Sequence, residues 1–310
     1  MKNKIIFFGT PNFSKLILKE LVEEKFNITA VVTKPDKPVG RGQKMSSTPV
    51  KKFALKKGIT ILEPKKVKDI KKKLEKLNPD LAIVAAYGQI IPKEILEIPQ
   101  KGILNIHPSL LPKYRGPTPI QAAILNGDKK TGVTIILMDE KMDHGPILSQ
   151  KEITITSPTY KELFQKLVNE SKKLIVKTIP RWIDGKIELR EQNHSNATYT
   201  SLLKKEDGKI NWNNEAIKIE RKVRAYNPWP STFTYFNSKL LKILKVKILK
   251  QDNYSKMEPG KVLNFKDDKL VVQAGEDLLR LKKVQFEGKR KMKDTTFLKG
   301  HKKIIGKILN

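Results

Sequence analysis

Short apolar runs of strand length recur along the first half of the chain, and stretches of helical period separate them. The runs cover residues 5–8, 28–32, 81–86, 102–106 and 133–138. The helical patterns cover residues 13–25, 66–77, 92–97 and 117–126. Because the runs are continuous rather than alternating, they predict strands buried on both faces. Such strands are typical of a mostly parallel, Rossmann-like α/β sheet covered by helices.

The pattern changes in the second half of the chain. A strand over 151–155 and a long helix over 158–184 are predicted to complete the first domain, and a polar stretch follows. Beyond it, one helix over 213–225 and several short β-like runs punctuated by Gly, Pro and Asp predict a small, OB-like β-barrel. We therefore predict a catalytic domain over 1–189, a linker over 190–207 and a C-terminal β-barrel over 208–310.

Two polar clusters, residues 105–116 and 138–146, follow apolar runs and are expected at the carboxyl ends of strands, where sheets of this class bind ligands. Asn105 and His107 are two positions apart, so they point to the same side of a strand. An amide and an imidazole can bind the oxyanion formed when a nucleophile adds to a carbonyl, at roughly 3–4 kcal/mol per donor. Asp143 can accept a proton from an attacking amine, or orient and charge His107. Together they predict a site that moves an acyl group between nitrogens.

Other interpretations of these clusters stay open. Asn and Asp are common turn residues, and His144 is a rival imidazole that we expect to point away from a site facing Asp143. A nucleophilic serine has little support, because no GxSxG motif surrounds Ser109. The apolar side chains and the backbone of the stretch Ser109, Leu110, Leu111 and Pro112 can instead hold a flat aromatic ligand.

Two further segments follow early strands. Gly9-Thr10-Pro11 suits a strand-to-helix turn, but the GxGxxG pattern of dinucleotide-binding proteins is absent, so NAD is not expected. A long polar loop over 33–44 carries Lys37, Arg41 and Lys44, which can meet phosphates or simply face solvent.

The composition adds a partner and excludes several chemistries. The net charge is +31, but only eight of the 63 basic residues are Arg, so part of the excess reflects a lysine-rich composition. Residues 208–310 nevertheless carry a net +15, against +16 over 1–207, and this doubled density favours a polyanion such as nucleic acid. With no Cys and four scattered His, neither a disulfide nor a metal site is expected. No signal peptide or transmembrane segment is apparent, so we expect a cytoplasmic protein.

Several motifs resemble those of the folate-dependent formyltransferases. They are Gly9-Thr10-Pro11, the loop 34–44, Ala86-Tyr87-Gly88, Asn105-x-His107-x-Ser109-Leu110-Leu111-Pro112 and Asp143-x-Gly145. Arg224-Ala225-Tyr226-Asn227-Pro228-Trp229-Pro230, with the basic C-terminal half, is similar to the members that act on a charged tRNA.

The resemblance implies 10-formyltetrahydrofolate as a co-substrate and the α-amino group of methionine on initiator tRNA as acceptor, with no metal. It implies a catalytic trio of Asn105, His107 and Asp143, and folate contacts from Tyr87, Gly88 and the Ser109–Pro112 stretch. It also assigns Lys37, Arg41 and Lys44 to tRNA, and we add the basic strand residues Lys242, Lys245 and Lys247.

Three alternatives stay open: a formyltransferase acting on a nucleotide amine, a formyltetrahydrofolate hydrolase, and a non-catalytic RNA-binding protein. Whether Asp143 acts directly, through His107 or through a water is also open. Nothing in the sequence favours more than a monomer.

Overall fold

The computed structural model describes residues 3–39, 42–250, 257–265 and 269–310. Its contacts divide these residues into two compact units. Unit 1 comprises the described residues of Met1–Pro119, Lys130–Thr154 and Phe164–Ser201, and unit 2 those of Ile120–Lys129, Ile155–Leu163 and Leu202–Asn310.

A seven-stranded sheet forms the centre of unit 1. Its strands are β1 (Ile5–Gly9), β2 (Ile28–Val32), β5 (Thr60–Leu62), β6 (Leu81–Ala85), β7 (Ile103–His107), β8 (Lys130–Leu137) and β9 (Ile147–Thr154). A separate hairpin joins β3 (Lys37–Val39) to β4 (Lys44–Ser46). The order across the sheet is β5-β2-β1-β6-β7-β8-β9. The first five strands are parallel, which confirms the predicted mostly parallel sheet, and β8 and β9 are antiparallel.

The helices up to residue 183 are short, apart from the last one. They are α1 (Asn12–Glu23), α2 (Pro49–Lys56), α3 (Lys71–Leu77), α4 (Lys93–Leu96), α5 (Pro119–Asn126) and α6 (Tyr160–Ile183). Helix α1 buries Phe13, Ile17, Leu18 and Leu21, at the spacing of one helical face, and β1, β6 and β7 are buried along their whole length. Helix α2, strand β5 and the β3–β4 hairpin have no counterpart in the sequence prediction.

Unit 2 contains an antiparallel sheet of six strands. They are β10 (Thr232–Phe236), β11 (Lys239–Leu249), β12 (Val262–Leu263), β13 (Val271–Gln273), β14 (Leu278–Phe286) and β15 (Met292–Lys293), ordered β10-β11-β14-β13-β12 with β15 beside β14. Helices α7 (Ala216–Tyr226) and α8 (Asp294–Gly300) accompany it, and Ile219, Val223 and Phe297 join the core that the sheet forms. The predicted β-rich second unit is confirmed, whereas its OB-like closure stays a prediction.

The polar stretch predicted as a linker over 190–207 is not uniformly a linker. Its first part pairs with unit 1, through bridges from Arg190 to Ile147 and from Tyr199 to Arg115, and a short 3-10 helix forms at His194–Asn196. The assignment to unit 2 begins at Leu202. The stretch is polar because it pairs through its backbone and side-chain amides, so it lacks the apolar period that would have predicted packing.

Candidate active site

Asn105 and His107 lie in the second half of β7, two residues apart and on the same face of the sheet. The strand is covered on both sides, so their side chains are almost fully buried, with 9% and 5% of each residue exposed. The sequence prediction that the two groups converge is therefore consistent with their placement.

Asp143 reaches this face from the loop between β8 and β9. Its Oδ1 accepts a hydrogen bond of 2.9 Å from Asn105 Nδ2, and its Oδ2 accepts one of 2.7 Å from the backbone N–H of Gly116. Asp143 adopts a left-handed backbone (φ 49°), which is unfavourable for a residue with a Cβ. The position of the carboxylate is therefore fixed by its two hydrogen bonds and not by the local backbone alone.

Both polar clusters follow strands, as predicted, since residues 138–146 come directly after β8. The ends of β7 and β8 nevertheless lie at opposite ends of the sheet, because β8 runs antiparallel to β7 and Leu137 lies opposite Leu104. The end of β8 is thus beside the start of β7. The loop folds back so tightly that a Cβ on Gly145 would lie 1.8 Å from Leu137 O, and this close approach requires glycine.

His107 has a defined proton position when it is neutral. Its Nε2 lies 2.8 Å from the carbonyl oxygen of Tyr114, which can only accept, so Nε2 carries the hydrogen. Its Nδ1 lies 3.6 Å from Asp143 Oδ2. A neutral His107 therefore presents a free lone pair at Nδ1, and only a charged His107 can donate a hydrogen bond from that atom.

The rival imidazole, His144, is engaged elsewhere. Its Nδ1 lies 2.5 Å from Asp139 Oδ2, and its ring stacks on that of His194 with the centroids 4.0 Å apart. This arrangement supports His107 as the imidazole of the site.

The stretch predicted to bind folate, Ser109–Pro112, is hydrogen-bonded to one residue of β8 and one of β9. Thr134 Oγ1 donates to the carbonyl of Ser109 (2.7 Å) and accepts from the backbone N–H of Leu111 (3.1 Å). Gln150 Nε2 donates to the carbonyl of Leu111 (3.0 Å) and to Thr134 Oγ1 (2.9 Å). The backbone of the stretch is therefore fixed before any ligand arrives.

The side chains of that stretch are less available than the sequence suggests. Leu111 is buried in a cluster with Ile136 and Ile147, and the Ser109 hydroxyl donates to the carbonyl of Lys113. Leu110 packs on Gly132 of β8, and both Leu110 and Pro112 are half-buried. Any ligand contact from Ser109 or Leu111 would therefore come from the backbone rather than the side chain.

Tyr87, predicted to contact folate, has its side chain in the core of unit 1, and the contact stays a prediction. Its ring is 2% exposed and packs edge-on against Phe8 at 5.5 Å, and burial raises the pKa of its hydroxyl to about 12. The side chain belongs to the core because Tyr87 lies two residues after the end of β6 and packs in the same cluster as Ala82 and Val84. Gly88 lies at the surface next to Lys34 Nζ, whose pKa is lowered by burial and by the neighbouring Lys37.

The lysines predicted to meet tRNA near the N-terminus lie on the β3–β4 hairpin rather than on a structureless loop. Lys37 and Lys44 are exposed, and Arg41 lies outside the described residues. The hairpin is anchored at its base, where Lys51 Nζ bridges Asp36 (3.0 Å) and Glu63 (2.9 Å). The hydrogen bond from Lys51 is the main cause that lowers the pKa of Asp36.

The unit 2 lysines that were predicted to bind tRNA lie on one long strand, β11. Lys245 and Lys247 are exposed and Lys242 is half-buried. The residues opposite Lys245 and Lys247 on β14 are Lys283 and Arg280. Arg280 forms an ion pair with Asp294 at 2.6 Å, whereas Lys245 and Lys283 are both exposed and face each other across the strands. Like charges directly opposite each other destabilise a sheet, so this pair is explained better by a function that uses positive charge than by stability.

Further residues complete the surroundings of the trio. Three of them, Tyr114, Arg115 and Gly116, belong to the predicted polar cluster 105–116 but had no predicted role. The sequence prediction missed the others, which are Thr134, Gln150, Gln192 and His194. Gln192, for example, contacts Asp143 across 49 positions of sequence, and no local pattern indicates such a contact. Within the described ranges, no group of three or more His, Cys, Asp or Glu side chains is arranged to hold a metal. None of the described helices combines the length and apolar character that a membrane crossing requires.

Two family models match the chain. One, described as formyl transferase, matches residues 2–179, and the other, described as formyl transferase, C-terminal domain, matches residues 202–302. The chain is 42% identical over 310 residues to a methionyl-tRNA formyltransferase of Caldanaerobacter subterraneus subsp. tengcongensis, with 99% of each chain covered. It is 46% identical over 305 residues to one of Thermodesulfovibrio yellowstonii, with 97% of each covered.

Solved structures with a similar fold are more distant in sequence. An N-formyltransferase from Helicobacter canadensis, in complex with folinic acid and dTDP-3-aminofucose, has a TM-score of 0.67 at 21% identity, covering 91% of this chain and 99% of that one. HypX from Aquifex aeolicus, in complex with tetrahydrofolic acid, has a TM-score of 0.65 at 16% identity, covering 96% of this chain and 47% of that one. These similarities establish the fold.

Proposed function

The chain belongs to the formyl transferase family, and on that premise we propose that it transfers the formyl group of 10-formyltetrahydrofolate to the α-amino group of methionine on initiator tRNA. The observation that carries the proposal is the buried trio, in which the Asp143 carboxylate is hydrogen-bonded to Asn105 and lies 3.6 Å from His107 Nδ1.

The trio accounts for stabilisation of the tetrahedral intermediate. The neutral amine attacks the formyl carbon, and the carbonyl oxygen becomes an oxyanion. Asn105 Nδ2 carries two hydrogens and gives one to Asp143, so the other is available to the oxyanion. His107 contributes a second donor from Nδ1 once it is charged, with its Nε2–H retained by the carbonyl of Tyr114.

Proton transfer follows from the same geometry. The attacking nitrogen loses a proton to the free Nδ1 of His107, or to Asp143 directly or through a water, and the intermediate then collapses. The C–N bond to N10 of the folate breaks, N10 takes up a proton, and tetrahydrofolate leaves. Asp143 stabilises the charged imidazole that exists between the two proton transfers. The sum is one formyl group exchanged for one proton between two nitrogens.

Recognition of tRNA is assigned to exposed lysines. In unit 1 these are Lys37 and Lys44 on the β3–β4 hairpin, and Arg41 stays a sequence-based assignment. In unit 2 they are Lys245 and Lys247 on β11, together with the half-buried Lys242, and Lys283 opposite Lys245 adds to the positive charge. Contacts of this kind release counterions, so binding should weaken steeply with salt. We also expect a monomer that acts in the cytoplasm, where charged tRNA is used.

One assay separates this proposal from its rivals. Purified protein is incubated with 10-formyltetrahydrofolate and methionyl initiator tRNA, and the esterified amino acid is analysed for formyl-methionine. A formyltetrahydrofolate hydrolase would release formate at the same rate without tRNA. An enzyme for nucleotide or sugar amines would formylate those acceptors and leave the tRNA unmodified. A non-catalytic RNA-binding protein would retain tRNA on a filter and consume no donor.

A further inference from the structure

We infer that Gln192 and Arg115 are positioning residues that hold Asp143 in place through its main chain. This inference deepens the proposed function and rests on it for its kinetic test. The two residues lie outside the trio, and both are buried, with 5% and 1% exposed.

Gln192 binds the main chain of the Asp143 loop at two points. Its Nε2 donates to the carbonyl oxygen of Asp143 (3.0 Å) and to that of Gly145 (2.7 Å). The residue between these acceptors is His144, so one amide spans the turn that carries the carboxylate. These two bonds fix the carbonyl groups on either side of His144, and so hold the turn in which Asp143 has φ 49°.

Arg115 fixes the orientation of that amide. Its Nη2 donates to Gln192 Oε1 at 2.8 Å, and since a guanidinium only donates, the oxygen of the amide must face Arg115. The Nε2 hydrogens of Gln192 are then directed at the two carbonyls, which only accept. Every bond in the relay is satisfied in this orientation alone.

Arg115 also links the trio to residues 198–200 through its backbone and its sequence neighbours. Its neighbours in sequence touch the trio directly, since Tyr114 O accepts from His107 and Gly116 N donates to Asp143. Its backbone pairs with the returning segment, donating to Thr198 O and accepting from Thr200 N, both at 2.8 Å. The side chain and main chain of Asp143 are therefore both held by bonds that lead to Arg115.

A purely structural explanation accounts for this cluster less well. Burying a guanidinium is costly unless its donors are paired, and the described partners of Arg115 are all uncharged groups, from Gln192, His194 and Tyr199. Apolar side chains of similar size would fill the same space at lower cost. The polar relay is explained by the two carbonyl groups that it must hold.

Two substitutions test the inference in the full-length protein. Q192M removes both donors at similar side-chain length. Q192E keeps an acceptor for Arg115, and so preserves folding, but cannot donate to Asp143 or Gly145. Q150M is a matched comparison, because Gln150 makes the corresponding hydrogen bonds to the stretch Ser109–Pro112. Q165M is the neutral control, because it changes an exposed glutamine of α6.

We expect the Gln192 variants to change kcat and the Gln150 variant to change the KM for folate. Q192M and Q192E should lower kcat by about 10- to 100-fold, as displacement of a catalytic group by an ångström does, and leave both KM values within about threefold. Q150M should raise the KM for folate with kcat within about threefold, and Q165M should change neither. Equal changes in kcat and both KM values for the Gln192 variants, or kcat within threefold of the parent, would overturn the inference.

A second readout does not depend on the acceptor. The chain has only four histidines, so the ¹⁵N signals of His107 can be assigned by single substitutions. In Q192M, which introduces no charge, the Nδ1 chemical shift of His107 at a fixed pH should differ from that of the parent, because Asp143 is displaced, whereas Q165M should match the parent. An unchanged Nδ1 chemical shift in Q192M refutes the positioning role. A parent protein that fails to formylate tRNA refutes the proposed function and leaves this comparison standing.

Discussion

Replacement of Asp143 by Asn removes the negative charge of the trio while keeping its shape. Asp143 Oδ1 accepts from Asn105 and Oδ2 accepts from the backbone of Gly116. The backbone donor cannot move, so the amide oxygen of the new side chain must face Gly116. Its NH2 group then faces Asn105, and the clash of donors is relieved when the amide of Asn105 turns over.

The structural cost of D143N is therefore small, and the chemical cost is large. The variant loses the group that accepts the proton or stabilises charged His107, and the turned Asn105 no longer presents its amide as an oxyanion donor in the same place. Loss of one general acid–base group lowers kcat by about 10²–10⁴-fold, or about 2.7–5.5 kcal/mol of barrier. The KM for folate should change little, because the stretch Ser109–Pro112 is fixed by Thr134 and Gln150.

Initial rates of formyl-methionyl-tRNA formation, measured at saturating donor and acceptor, give kcat directly. D139N is the matched control, because Asp139 lies in the same loop and bonds His144 instead of the trio. A kcat for D143N within tenfold of the parent would refute the assigned proton role. An equal loss in D139N would show that the loop, and not the carboxylate of Asp143, is responsible.

Three further outcomes are expected. K245A/K247A should raise the KM for tRNA and flatten its dependence on salt while the KM for folate stays constant, and an unchanged salt dependence in filter binding would remove β11 from the interface. The folded-state pKa of His194 is lowered by partial desolvation and by the neighbouring His144 and Arg115. The contribution of neutral His194 to stability is therefore complete above pH 6.5, and it is lost as the pH falls through the folded-state pKa. H194N should abolish this decrease in melting temperature at low pH. Y87F removes a buried hydroxyl that lacks a partner among the described residues, so the free energy of unfolding should stay the same or rise by up to about 1 kcal/mol. The KM for folate should be unchanged, whereas a raised KM would support the predicted contact between Tyr87 and folate.

Much of unit 1 could be predicted because its strands are buried on both faces. The run at 28–32 matches β2 in both bounds, and β1, β6 and β7 begin or end within one residue of their runs. The direction of β8 could not be predicted from the same signal. A helical pattern between β7 and β8 resembles a parallel crossover, and nothing in the apolar run of β8 records that it returns antiparallel.

The site was predicted unevenly for a physical reason. Asn105 and His107 share one strand, so their alignment follows from the period of two residues. Asp143 could be proposed only from its chemistry, since its approach depends on the fold of a loop. Tyr87 was assigned to the ligand although its neighbours in β6 are apolar, and the structure places its ring among them. Gln192 could not be identified, because a glutamine in a polar stretch has no pattern that distinguishes it from solvent-exposed sequence.

Residues 190–201 are the last part of unit 1 to be synthesised, and they return to it after all the strands of its sheet. The family match to the first unit ends at residue 179, and every strand of its sheet and all three side chains of the proposed catalytic trio precede that point. Thr198, Thr200 and Gln192, which secure Arg115 and the turn of Asp143, emerge from the ribosome later. A chain that ends before Gln192 thus contains the whole sheet but lacks the hydrogen bonds that hold the turn of Asp143. We expect such a chain to be less active than the full chain, because the carboxylate would be less well positioned.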